Sequence, residues 1–166
     1  GLHTLLAALA SVSAEWQLSV VGRAADPAYA WRMATLAARP PLVGRVAWHG
    51  ALSDVELAAQ MAAAQVMVVP SDYEGFGIVY AEGMASGLPA IATTGGAAAE
   101  IITDGVDGYL IAPGDAVALA ERITTLAGDR ARLAQMSAAA SDHFERLPTW
   151  GDSCAALRAF FLDIPG

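Results

Sequence analysis

The sequence predicts an α/β fold, a parallel sheet with helices on both faces, and three features carry that prediction. Short apolar runs such as Val66-Met67-Val68-Val69 and Ala90-Ile91-Ala92 are continuous rather than alternating, as strands buried on both sides are. Segments of helical spacing separate these runs, and alternation of strand with helix favours parallel pairing. The joints between them are short turns. In such a sheet ligands bind at the carboxyl ends of the strands. Gly22, Gly50, Pro70 and Thr94 fall at those ends and are expected to line one rim.

Leu2, Leu5, Leu6 and Leu9 recur at helical spacing and predict a helix over 2–10. Trp16 to Val21 reads as a strand ended by Gly22, and Pro27 to Ala38 as a helix with proline near its first position. Pro40-Pro41 stops that helix, and a second strand is expected from Val43 to His49. Ser53-Asp54-Val55-Glu56 has the form of a capping box opening a helix to about Ala64. The strand at Val66 follows, then a glycine-bearing turn and a helical segment. After Gly87-Leu88-Pro89 come a short strand at Ala90, the pair Gly95-Gly96, and Ala97 to Ile102. Gly108 to Ile111 is the last strand. Helices are expected over 115–127, 129–145 and 152–163, with Pro148 separating the last two. The 166 residues read as one domain, 1–166, with no repeat or linker.

Composition removes several functional classes. Residues of the hydrophobic class make up 55 % of the chain and mean hydropathy is +0.44. No apolar run reaches the roughly 18 residues of a membrane span, so no transmembrane segment is expected. The net charge of −8 and the lack of a basic stripe argue against a nucleic-acid partner. Cys154 is the single cysteine, which excludes an internal disulfide, and its apolar helical setting predicts a packed thiol. No signal peptide is visible, which fits a cytoplasmic protein. The chain opens on Gly rather than Met, which leaves its natural start open.

The stretch Pro70-Ser71-Asp72-Tyr73-Glu74-Gly75-Phe76-Gly77-Ile78-Val79-Tyr80-Ala81-Glu82 carries the functional signal. A buried strand ends in a glycine turn and opens onto a helix. The first N–H groups of a helix lack internal partners, and its dipole puts partial positive charge at the same end. Gly75 and Gly77 let a ligand approach the backbone. Glu74 lies in the turn, and Glu82 shares a helix face with Ile78. An anion-attracting helix end flanked by carboxylates that accept from hydroxyls suggests a phosphorylated sugar or a nucleotide. Glu74 and Glu82 could also be solvated acids, and Phe76 could pack or stack on a sugar. Glu100 could brace a loop or touch ligand. Arg23 could reach phosphate or stay in solvent, and Trp150 is expected to anchor the last helix.

Other sites are absent from the sequence. There is no G-x-x-x-x-G-K-[ST] loop, no G-x-G-x-x-G after the first strand, and no G-x-S-x-G elbow. His3, His49 and His143 are scattered, which argues against a histidine metal site.

The glutamate pair is followed by Met84-Ala85-Ser86-Gly87-Leu88-Pro89, by Gly96-Ala97-Ala98-Ala99-Glu100-Ile101-Ile102, and by Asp104-Gly105-Val106-Asp107-Gly108-Tyr109-Leu110-Ile111-Ala112-Pro113-Gly114-Asp115. In this order the motifs closely resemble the C-terminal, nucleotide-sugar-binding half of family 4 retaining glycosyltransferases of the GT-B fold. The resemblance covers nearly the whole chain and implies a Rossmann-like sheet lacking its first strand. It implies that Glu74, the catalytic candidate, lies beside the donor sugar and accepts from its hydroxyls. Gly75, Phe76, Gly77, Ile78 and Val79 would contact sugar and diphosphate, Glu82 the ribose, and Gly50, Ala51 and Leu52 the base.

The implied reaction is hexosyl transfer from a UDP- or GDP-linked sugar to an acceptor hydroxyl, with no metal and no cofactor. The acceptor, a sugar or a lipid, would bind an N-terminal domain absent from this chain, so this piece alone is expected to be inactive. The full-length protein could also sit peripherally at a membrane. The family's arginine and lysine before the first helix would fall upstream of Gly1. Gly83 stands where the family usually has alanine, at a cost of about 1 kcal/mol of helix stability. The alternatives are a nucleotide-sugar epimerase on the same architecture and a non-catalytic nucleotide-sugar-binding module.

Overall fold

The computed structural model describes residues 1–163. In chain order the elements are α1 (Leu2–Leu9), β1 (Leu18–Val21), α2 (Pro27–Ala37), β2 (Val46–Gly50), α3 (Asp54–Ala63), β3 (Met67–Val69) and α4 (Ile78–Ala85). Then follow β4 (Ala90–Thr93), α5 (Ala98–Ile101), β5 (Gly108–Ile111), α6 (Ala116–Gly128), α7 (Arg130–Arg146) and α8 (Trp150–Leu162). Type and order match the sequence reading throughout, and several helices carry their own start signal. Asp26 accepts from the Ala28 and Tyr29 N–H groups ahead of Pro27. Ser53 and Glu56 form the expected capping box, and Asp115 caps α6.

β3 starts one residue late, at Met67, and two strand starts differ by more. β2 begins at Val46 rather than Val43, since residues 39–45 wind through turns in which the Leu42 and Val43 N–H groups both donate to the Arg39 carbonyl. β1 begins at Leu18 rather than Trp16. The Trp16 carbonyl accepts from Arg45 Nε at 3.2 Å, and the guanidinium lies 3.8 Å from the indole centroid. That contact holds Trp16 outside the ladder.

All strand pairs are parallel, but they form two sheets rather than one: β1–β2 and β3–β4–β5. The break lies between β1 and β3, which do not pair. It explains a second difference. β3, expected to be fully buried, is only half-buried along its length because it is an edge strand, whereas every residue of β4 is buried.

Alternation along β4 divides the core. Ile91 faces one cluster, with Leu5, Leu6 and Leu9 of α1, Met33 of α2, Tyr109 and Ile111 of β5, and Leu119 and Leu126 of α6. Leu18, Val46, Val66 and Val68 pack against the same cluster, so it joins the two sheets. Ala90 and Ala92 face the other cluster, with Tyr80 and Met84 of α4, Ile101 of α5 and Ala140 of α7. Each fully buried aliphatic side chain, such as Leu6 or Leu119, contributes about 1.5–3 kcal/mol.

α8 overturns two expectations. Cys154 is exposed rather than packed, and Trp150 is 84 % exposed rather than an anchor. No residue of α8 is buried. The chain turns away after Leu147-Pro148, and the apolar residues Leu157, Phe160 and Phe161 meet no partner face among the described residues. No helix of the described residues is long and apolar enough to cross a membrane.

Candidate functional site

The site is built on a turn locked by backbone contacts. Past the end of β3, the Ser71 carbonyl accepts from Thr93 Oγ1 at the end of β4. The Glu74 N–H donates to the Gly95 carbonyl at 2.7 Å, and the Glu74 carbonyl accepts from Ala97 at 3.0 Å. Glu74 and Gly96 thus form an isolated parallel bridge. A Cβ on Gly96 would overlap the Glu74 carbonyl, and φ of +115° there already favours glycine. The sequence reading placed Gly95-Gly96 only as a lead into a helix. What it missed is that this pair is the wall against which the Glu74 turn is pressed.

Gly77 is the N-cap of α4, left-handed at φ 75° and ψ 47°, with no side-chain cap. The Tyr80 N–H closes back on the Gly77 carbonyl at 2.9 Å. The N–H groups of Gly75, Phe76, Gly77, Ile78 and Val79 donate to no acceptor among the described residues. A run of unspent N–H groups at a helix start is an anion-binding surface by geometry and by dipole. It is also open: Gly75 is exposed, Phe76 is 65 % exposed and Ile78 60 %, so packing does not account for either apolar side chain. Two grooves of the molecule, one between α1 and α6 lined by Ala7, Ser11 and Val117, the other lined by Ser86, Leu88 and Leu133, both lie away from this turn.

The two glutamates differ in setting. Glu74 is half-buried, its Cγ next to the space above the Gly77 Cα, while Glu82 is exposed on α4 with Ile78. The ring of Tyr80, a residue 1 % exposed, fills that same space. Burial, and secondarily the charge of Glu74, push the Tyr80 phenol up to about 12.

Gly50 ends β2, and Ala51 and Leu52 lead from it to the Ser53 cap of α3. The Gly22 N–H donates to the Gly50 carbonyl at 2.7 Å, which joins the loops after β1 and β2. No hydrogen bond ties this pair of loops to Glu74 or Glu82 among the described residues. α1 begins against the Pro70 carbonyl, where a Cβ on Gly1 would overlap it, and leads away toward β1. β1 therefore returns toward the rim that carries Pro70.

Other singled-out residues serve the scaffold. Asp107 is 2 % exposed; it accepts from the Thr103 N–H at 2.8 Å and meets His143 Nδ1 at 2.7 Å. Asp104 accepts from the Leu110 N–H, and Arg132 donates to the Gly105 carbonyl. Glu100 is exposed with no bracing hydrogen bond, and Arg23 is exposed at the end of β1. Gly83 packs on β3: a Cβ there would lie 2.7 Å from the Met67 Cε. No group of His, Cys, Asp and Glu suited to hold a metal occurs among the described residues.

The fold recurs in solved glycosyltransferases. The Anabaena protein HepE, in complex with UDP and glucose, superposes with a TM-score of 0.86 at 28 % identity, over 96 % of this chain and 44 % of HepE. Sucrose-phosphate synthase from Thermosynechococcus elongatus matches with a TM-score of 0.86 at 32 % identity, over 99 % of this chain and 43 % of the synthase. The fold is thus half of a GT-B glycosyltransferase. Residues 1–129 match the glycosyl transferases group 1 family, and the chain belongs to it. The D-inositol 3-phosphate glycosyltransferase of Xylanimonas cellulosilytica is 34 % identical over 161 residues, 95 % of this chain and 38 % of that enzyme. The chain therefore spans less than half the length of these relatives.

Proposed function

We propose that this chain is the donor-binding domain of a retaining, metal-independent hexosyltransferase that takes a nucleoside diphosphate sugar, UDP- or GDP-linked. The observation that carries the reading is the row of unspent N–H groups from Gly75 to Val79, flanked by Glu74 and Glu82. The row suits a diphosphate. A carboxylate suits a diol, so Glu82 would accept from the ribose and Glu74, in the turn nearer the strand, from the sugar. The loop Gly50–Leu52 would meet the base. HepE binding UDP and glucose on the same fold supports this.

In the reaction the acceptor oxygen bonds the anomeric carbon, the bond from that carbon to the diphosphate breaks, and the acceptor proton leaves with the nucleoside diphosphate. The N–H row stabilises charge on the departing phosphate. The acceptor, a sugar or lipid, would come from a second domain across a cleft, in a cytoplasmic protein free or peripheral at a membrane.

Calorimetric titration of the chain with UDP, GDP, UDP-glucose and GDP-mannose tests the reading. Binding of one nucleotide over the other supports it, with a Kd in the high-micromolar to millimolar range, about 4–6 kcal/mol. Absence of binding to all four by a chain extended upstream through the basic pair would overturn it.

A further inference from the structure

Ser71, Asp72 and Glu74 all lie against the residues that end β4, and one of these contacts is made by a side chain. Thr93, the last residue of β4, is 2 % exposed, and its hydroxyl donates to the Ser71 carbonyl. The same oxygen accepts from the Gly95 N–H at 3.4 Å, and the Gly95 carbonyl accepts from the Glu74 N–H at 2.7 Å. The bonds run from Glu74 through Gly95 and Thr93 to Ser71, so they close a ring around segment 71–74 with a single side-chain group in it. Glycine makes the other contacts: a Cβ on Gly95 would overlap the Asp72 carbonyl, and one on Gly96 the Glu74 carbonyl. Packing explains the shape of Thr93 but not its hydroxyl, since valine would fill the same space without a polar group to satisfy.

We propose that Thr93 is a positioning residue for sugar recognition: by joining the Ser71 carbonyl to the Gly95 N–H, its hydroxyl fixes the turn from which Glu74 reaches the donor sugar. The inference rests on the donor-site reading above and assigns a role to a residue outside its binding set. Two separate anchors divide the site. The helix start is held from α4, where the Tyr80 N–H closes on the Gly77 carbonyl and Tyr80 and Met84 are buried in the core. Glu82 belongs to the same helix. Glu74 is held from β4 instead, by its bridge to Gly96 and by the ring of bonds through Thr93. Loss of the hydroxyl therefore displaces Glu74 while the diphosphate and ribose contacts stay with α4. Hydrogen bonds weaken steeply as their angle and distance leave the optimum, so a small displacement is felt at the sugar.

The test is calorimetry with UDP and UDP-glucose, or with GDP and GDP-mannose if those bind, on the chain or on its upstream-extended form. The quantity read is the ratio of sugar-nucleotide to free-nucleotide affinity. Thr93→Val keeps the side-chain shape, and a cooperative unfolding transition confirms an intact fold. It is expected to leave free-nucleotide affinity within about twofold and to lower the ratio by about tenfold, the size of a hydrogen bond to a charged group. Thr93→Ser keeps the hydroxyl and is expected to keep the ratio. In a Glu74→Ala background Thr93→Val is expected to leave the ratio unmoved. A threonine that served stability alone would shift the unfolding midpoint and leave the ratio unchanged. That outcome overturns the proposal while the donor site stands. So does an equal drop with and without Glu74, a Thr93→Ser ratio as low as that of Thr93→Val, or a Thr93→Val chain that does not fold. A wild-type chain that binds nucleotide but gains nothing from the sugar overturns it too. Failure of every nucleotide to bind removes the donor-site reading, and this inference with it.

Discussion

The Tyr80 ring occupies the space that a side chain on Gly77 would need: a Cβ built there would overlap the ring at Cε2 and Cδ2. Gly77 is also left-handed, at φ 75°. The turn that exposes the N–H row therefore depends on a glycine for two separate reasons, and Tyr80 supplies the second. Gly77→Ala is expected to cost about 1–2 kcal/mol from the backbone alone, with a further loss from the ring. Urea unfolding would show it, together with weakened UDP binding. Unchanged stability would mean that the turn relaxes without penalty.

Gly83 invites the opposite result. A Cβ there crowds the Met67 Cε and Sδ, the far end of a flexible side chain, and lies at an ordinary contact distance of 3.8 Å from the Leu88 Cβ. Alanine gains up to about 1 kcal/mol of helix propensity over glycine. Gly83→Ala is expected to raise the urea midpoint and leave UDP affinity alone. A lower midpoint would show that Met67 is held too tightly against β3 to move.

The two glutamates should separate by ligand. Glu82→Ala is expected to weaken free UDP or GDP by about tenfold, the size of a charged hydrogen bond. Glu74→Ala should spare the free nucleotide and remove the extra affinity of the sugar nucleotide. Equal nucleotide affinity in wild type and Glu82→Ala would remove the ribose role.

The Asp107–His143 contact ties the loop before β5 to the last turn of α7. Asp107→Ala would leave the Thr103 N–H and His143 without this partner, at a cost of about 1–3 kcal/mol. The loss should appear in thermal unfolding. An effect within a few tenths would mean that water replaces the carboxylate.

Two helix caps predict acid sensitivity of known sign. Hydrogen bonds from Ser53 hold the Glu56 carboxyl below its ordinary 4.5, and bonds from Thr149 hold Asp152 below 3.8. A depressed folded-state value means that the charged form is favoured on folding. Each cap therefore contributes fully above the ordinary value and fades as pH falls through the lowered one. Amide protection at the starts of α3 and α8, relative to intrinsic exchange at the same pH, should fall only below about pH 4. Loss of protection near neutrality would contradict the cap assignment.

Much of this was legible along the chain. Ser53 with Glu56, Asp26 before Pro27, and Asp115 each announce a helix from within a few residues, because caps are local hydrogen bonds. The apolar runs located the strands, with starts set late where Arg45 reaches back to Trp16 and where residues 39–45 wind through turns. The glycine turn between Glu74 and Glu82 could be picked out because an exposed helix start is also a local property. Three-dimensional contact decided the rest. Gly96 bracing Glu74, Tyr80 against Gly77, Met67 against Gly83 and Asp107 on His143 join side chains or turns brought together by folding. The break between β1 and β3, and the bare face of α8, depend on which surfaces find a partner. Local pattern determined which elements form and which groups a turn exposes. Only packing decided which are braced, because burial and close contact belong to pairs of residues that the chain order keeps apart.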